Sequence, residues 1–161
     1  MSHPHLLEAS IATPDNFQPY GQVILATPDG KPFDAADAQL VLSPGTPRFY
    51  IMRLPHKGRR FHRITRHQRC TQCLGSLGGQ SWWMAVCPPR EGDRPDRSQL
   101  RVFEIQGDLF IKLNPGTWHA GPLFEAEYID FYNLELSDTN VTDHFTYDFA
   151  AVEGLEFEIQ R

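Results

Sequence analysis

Thirteen prolines and twelve glycines interrupt this chain of 161 residues at short intervals. That punctuation constrains the fold more than any other feature. Proline lacks the N–H that a helix interior needs, and glycine carries an entropic penalty there. Long helices are thereby disfavoured, and the branched and aromatic runs between turns read as strands. Strands are expected over residues 22–25, 48–54, 60–67, 71–77, 81–87, 127–136 and 155–159. Residues 100–106 and 109–113 are expected to form a hairpin around Gly107-Asp108. The almost wholly apolar run 81–87 reads as a strand buried on both faces. In 127–136, Tyr128, Asp130, Tyr132 and Leu134 alternate with Ile129, Phe131, Asn133 and Glu135. Helical turns are expected only at Thr13-Pro14-Asp15-Asn16-Phe17 and Pro95-Asp96-Arg97-Ser98. About ten short strands with so little helix make an all-β sandwich or closed barrel.

No repeat, linker or low-complexity tract divides the chain, so residues 1–161 read as one domain. A net charge of −5 does not suggest a nucleic-acid binder. The charge is unevenly placed. Seven basic residues and no acid lie between Arg53 and Arg69, and ten acids without Lys or Arg lie between Glu125 and Glu158. Two readings are open: complementary neighbouring parts of one sheet system, or a basic wall that attracts a small carboxylate. No apolar stretch approaches the roughly 20 residues of a membrane helix, and no secretory leader is evident. Three cysteines argue against a disulfide framework, so a reducing cytoplasm is the expected setting. Cys70-Thr71-Gln72-Cys73 lacks the second ligand pair of a structural zinc site and reads as packed thiols. Trp82, Trp83 and Met84 read as core.

The chemistry-bearing residues concentrate in two places. His67 and Gln72 are five apart, with Gly79 seven further on, and Gly116 stands three before His119. This resembles the two-part cupin signature, which implies a double-stranded β-helix, or jelly-roll barrel, holding a divalent metal through histidines and a glutamate. Here Thr65 sits where the first histidine belongs, and Gln72 replaces the glutamate. His67 and His119 are then the strong candidate ligands, with His62 as a stand-in. On an unbroken strand, however, His62 and His67 point to opposite faces, and a bulge is needed to bring both inward. His3, His5, His56 and His144 read as solvated.

A second resemblance covers more of the chain. Phe17-x-x-Tyr20-Gly21-x-Val23-Ile24, the segment from His62 to Gln72, Pro95-Asp96-x-Ser98-x-Leu100-Arg101-x-Phe103, Trp118-His119-x-x-Pro122-Leu123-Phe124 and Asp130-Phe131 together resemble the ureidoglycolate lyase family. That resemblance implies a cupin-like homodimer that cleaves ureidoglycolate to glyoxylate and urea, with a divalent metal associated with it. The family motif E-R-H-P-x-G-[ST]-Q reads here Thr65-Arg66-His67-Gln68-Arg69-Cys70-Thr71-Gln72. The glutamate, proline and glycine are lost. The implied reaction needs a base for the carbinol hydroxyl, an acid for the departing urea and a cation for the carboxylate. His67, Gln72 and His119 are the candidate catalytic set. Arg101 and Lys112 are candidate carboxylate partners, and Asp130 is a candidate to orient a histidine. Two other readings stay open: a non-catalytic cupin that binds a small carboxylate, and a structural β domain whose site has decayed.

Overall fold

The computed structural model describes residues 3–160. Its strands are β1 (His5–Ile11), β2 (Gly21–Ile24), β3 (Pro47–Pro55), β4 (Arg60–Phe61), β5 (Arg63–Arg66), β6 (Gln72–Ser76) and β7 (Gly79–Cys87). There follow β8 (Arg101–Gly107), β9 (Phe110–Leu113), β10 (Trp118–Leu123) and β11 (Tyr128–Leu136). The chain ends with α1 (Thr139–Thr142), β12 (Phe145–Asp148), α2 (Phe149–Glu153) and β13 (Phe157–Gln160). Eight strands form one sheet in the order β12-β5-β10-β7-β8-β1-β13-β4, and five form a second, β2-β9-β6-β11-β3. The two sheets curl around a shared core, giving an all-β, cupin-like half-barrel.

The centre of the large sheet is buried on both faces. Trp82, Met84, Val86, Phe103 and Ile105 point between the sheets, where they meet Leu74, Ile111 and Phe131 of the smaller sheet. Ala85, Cys87, Val102, Trp118 and Ala120 point the other way, against Ile64, Phe149, Phe157 and Ile159. Two buried faces explain why residues 81–87 carry almost no polar side chain. In the smaller sheet one face is open. Ile129 and Phe131 are buried, while Asp130 pairs with Arg53 outside.

Two expectations are corrected. The hairpin 100–113 does not form: β8 pairs with β7 and β1, whereas β9 pairs with β2 and β6. Leu109 is buried in the same core as Ile105 and Ile111, so the chain crosses between sheets at Gly107-Asp108 instead of turning within one. Residues 60–67 make two strands that break at His62, not one. Residues 13–17 form the expected helical turn: Phe17 N–H donates to the Thr13 carbonyl at 3.1 Å, and Thr13 and Asn16 exchange hydrogen bonds between side chain and backbone. The second expected turn is a 3-10 turn at Arg97–Gln99, capped by the Asp96 side chain.

The uneven charge is resolved in favour of complementary parts. Arg53, Arg59, Arg60, Arg63 and Arg69 pair with Asp130, Glu125, Glu158, Asp148 and Asp138. Exposed pairs of this kind contribute little individually. Their effect is to match the basic segment to the acidic strands that run beside it.

Candidate active site

His67 follows the last residue of β5, and two contacts hold its loop. Its backbone carbonyl accepts from Gly116 N–H at 2.6 Å. The Asp143 carboxylate accepts from the backbone N–H groups of Gln68 and Arg69, both at 2.8 Å. Gly116 has φ +82°, a left-handed conformation suited to glycine, in the turn that starts β10. One hydrogen bond therefore ties the loop carrying His67 to the turn that launches His119. On β10, Trp118 and Ala120 face the outer layer, so His119 faces the barrel interior.

The two imidazoles have ring centroids 5.1 Å apart. His67 Nδ1 lies 2.6 Å from the Asp143 carbonyl, and His119 Nδ1 lies 3.3 Å from the Thr117 carbonyl. A carbonyl oxygen can only accept, so each Nδ1 carries the proton and each Nε2 keeps its lone pair. Burial lowers the pKa of His67, against an opposing pull from the Asp143 carbonyl. Burial, reinforced by neighbouring His67, pushes His119 down to about 3. Both rings are therefore neutral acceptors at physiological pH.

Gln72 opens β6 and completes the group. A narrow cleft is lined by His67, Cys70, Gln72, Leu113, Asn114, Thr117 and His119. Gln72 Nε2 donates to Asn133 Oδ1 at 3.1 Å and to Glu135 Oε2 at 3.3 Å. Asn133 and Glu135, both about 1% exposed, stand on the inner face of β11. Burial raises the pKa of the Glu135 carboxyl. The sequence reading passed over these two residues. Their signal was present in the alternation of residues 127–136, which puts them on the face of Ile129 and Phe131. His144 is also near, its ring centroid 5.6 Å from that of His67, in an exposed position. Nothing in local spacing pointed to His144 or Asp143.

The other candidates stand apart from this cleft. His62 is a surface residue at the break between β4 and β5, with Nδ1 3.1 Å from Asp148 Oδ1. The break does not turn it inward to join His67. Asp130 lies on the outer face of β11 in a two-bond pair with Arg53, at 2.8 and 2.9 Å, and contacts no histidine. Arg101 is exposed and donates to the carbonyls of Ser98 and Leu100, beside a different groove that includes His5 and Arg97. Lys112 is in register with Cys73, one residue out of phase with Gln72, so it leaves the sheet on the opposite face. Its amine reaches Asn114 Oδ1 at 2.8 Å, and burial lowers its pKa. Arg66, kept from the family motif, lies over the Trp118 ring and donates to the Gly92 carbonyl, away from the cleft.

Thr65 holds an informative place. It is in register with His119 on one side and Thr146 on the other, and its hydroxyl is 2.9 Å from that of Thr146. Residues directly opposite in a sheet share a face. A longer acidic or imidazole side chain at this position would lean over His119. With threonine there, a divalent cation would find two imidazole nitrogens and one neutral amide oxygen. No three His, Cys, Asp or Glu side chains converge among the described residues. Catalytic zinc sites take three strong protein ligands, so this donor set does not fit a resident divalent metal.

The sequence model of the ureidoglycolate lyase family matches residues 4–153. No curated protein matches the chain. Among solved structures, the chain is similar to a dTDP sugar isomerase from Desulfovibrio desulfuricans G20, with 12% identity over 80% of this chain and 81% of that one, at a TM-score of 0.47. No helix among the described residues is long and apolar enough to cross a membrane. With the match extending from β1 through α2 and including the cleft, the chain belongs to the ureidoglycolate lyase family.

Proposed function

We propose that this protein cleaves ureidoglycolate to glyoxylate and urea, with His67 as the proton carrier. The observation that carries the reading is the pair of neutral imidazoles, each tied down at Nδ1, sharing one cleft in a chain of this family. In ureidoglycolate one carbon bears a hydroxyl, a carboxylate and a urea nitrogen. His67 Nε2 takes the hydroxyl proton, the C–O bond becomes a carbonyl and the C–N bond breaks. The bonding electrons go to nitrogen, which receives the same proton back from His67. No water is consumed. One base serves both steps because hydroxyl and nitrogen are attached to the same carbon. His119, neutral throughout, accepts a hydrogen bond from the substrate beside it. Its cationic form is too disfavoured by burial to act as the acid.

The donor set supports a route without a divalent metal. The natural partner is a small carboxylate, in keeping with the breakdown of purine-derived nitrogen. A homodimer is part of the same proposal. It is supported by β3, an edge strand whose Phe49 and Ile51 are 67% and 56% exposed. The test is glyoxylate release from ureidoglycolate by wild type, His67→Ala and His119→Ala. Loss of the base is expected to lower kcat by roughly 10²- to 10⁴-fold. Dialysis against a chelator is expected to leave wild-type activity intact. No release above the uncatalysed rate would refute the lyase reading, and chelator-sensitive activity would refute the metal-free one.

A further inference from the structure

The cleft presents acceptors. The Nε2 atoms of His67 and His119 have no hydrogen bond to protein among the described residues, and Gln72 Oε1 is buried without a partner. The Thr117 hydroxyl is already committed to the Tyr20 carbonyl at 2.7 Å. A ligand complementary to this wall must bring O–H and N–H donors.

The direction of the Gln72 amide follows from a chain of donors behind it. Tyr50 O–H donates to Glu135 Oε1 at 3.4 Å and accepts from Asn133 Nδ2 at 3.1 Å. Asn140 Nδ2 also donates to Glu135 Oε1, at 3.5 Å. With its N–H turned to Tyr50, Asn133 leaves Oδ1 toward Gln72, whose Nε2 donates to it and to Glu135 Oε2. Turning the Gln72 amide over would set its oxygen against two other acceptors. The side chain is 8% exposed and lines the cleft, so Oε1 is the one atom of the network left to meet a ligand.

We propose that Asn133, Glu135 and Tyr50 are positioning residues that fix Gln72 Oε1 as the acceptor for an N–H of the ureido group, and that this contact selects ureido compounds over carboxylates of the same shape. The inference rests on the proposed ureidoglycolate reading and names the part of the substrate that Gln72 recognises. A site built to pair a buried polar atom discriminates against ligands that leave it unpaired.

The test compares two ligands by calorimetry. Oxalurate carries the ureido N–H groups beside a carboxylate. 2,4-Dioxopentanoate has the same skeleton with carbon in place of both nitrogens. Gln72→Met, which keeps the side-chain length, is expected to lower oxalurate affinity about tenfold or more and to change that for 2,4-dioxopentanoate less than about threefold. Asn133→Leu, which frees the amide to turn, carries the same expectation and serves if Gln72→Met does not fold. Equal loss for both ligands would indicate a structural role only and overturn the inference. An unchanged preference, or no binding of oxalurate to wild type, would also overturn it. If the ligand preference behaves as expected while wild type releases no glyoxylate, recognition of the ureido group stands and the lyase reading falls. If wild type turns over ureidoglycolate but the preference does not depend on Gln72, the lyase reading stands and this inference falls.

Discussion

Asp143 fixes which nitrogen of His67 is the base. Its carbonyl accepts from Nδ1, so proton transfer falls to Nε2. The pH dependence follows with a definite sign. A base works only when unprotonated, and burial lowers the pKa of His67 from its ordinary 6.5. kcat/KM is therefore expected to rise with pH through a midpoint below 6.5 and to be level from there to neutrality. A pH–rate profile still rising above pH 7 would contradict this assignment of the base. At this scale the spacing of His67, Gln72 and His119 was legible because cupin-type strands set it locally. Asp143 and His144 were not, since they reach the site from a loop more than seventy residues away in sequence. Arg101, Lys112 and Asp130 show the converse. Their residue types suit a carboxylate or histidine partner, but pleat direction and local acceptors hold them elsewhere.

At the scale of elements, β12 and α2 meet at Asp148. Its side chain accepts from His62 and Arg63, and it caps α2 through the Ala151 N–H. These bonds, that of His62 foremost, hold the carboxyl well below the usual carboxylate range. A depressed folded-state pKa contributes stability that is complete above the unfolded value and fades as pH falls below it. Asp148→Asn is accordingly expected to melt lower than wild type at pH 7, with the difference shrinking below about pH 4. Thermal melts at pH 7 and pH 3 check this, and an equal difference at both would sink it. Strands with an uninterrupted apolar run or clean alternation, such as β7 and β11, could be read directly. β1 could not: Leu6 and Ile11 are more than half exposed, and its place comes from parallel pairing with β8 and β13. The crossing at Gly107-Asp108 was misread because a turn dipeptide does not say whether the next strand joins the same sheet.

Over the whole molecule, β1 joins the ends of the chain. It lies between β8 and β13, so the first strand holds the last one in the large sheet. Deleting residues 1–11 would uncover both neighbours along their edges. That truncation is expected to unfold at lower denaturant concentration and to aggregate, as light scattering would detect. Unchanged unfolding would mean that β1 adds nothing to the sheet. One edge of the smaller sheet, β3, is open, with Phe49 and Ile51 on its outer side. In the proposed homodimer, Phe49→Asp with Ile51→Lys is expected to give a monomer in sedimentation velocity while His67 keeps its surroundings. A wild type that sediments as a monomer would remove the dimer from the proposal.

The double latch at Asp143 has one more consequence. Its carbonyl orders the His67 ring, while its carboxylate holds the amides of Gln68 and Arg69. Those two amide protons are thus a clock for the imidazole. Each time the segment bearing Asp143 swings away, they meet solvent and the ring loses the partner that selects its tautomer. Their deuterium uptake would measure, without any substrate, how often the base is out of position.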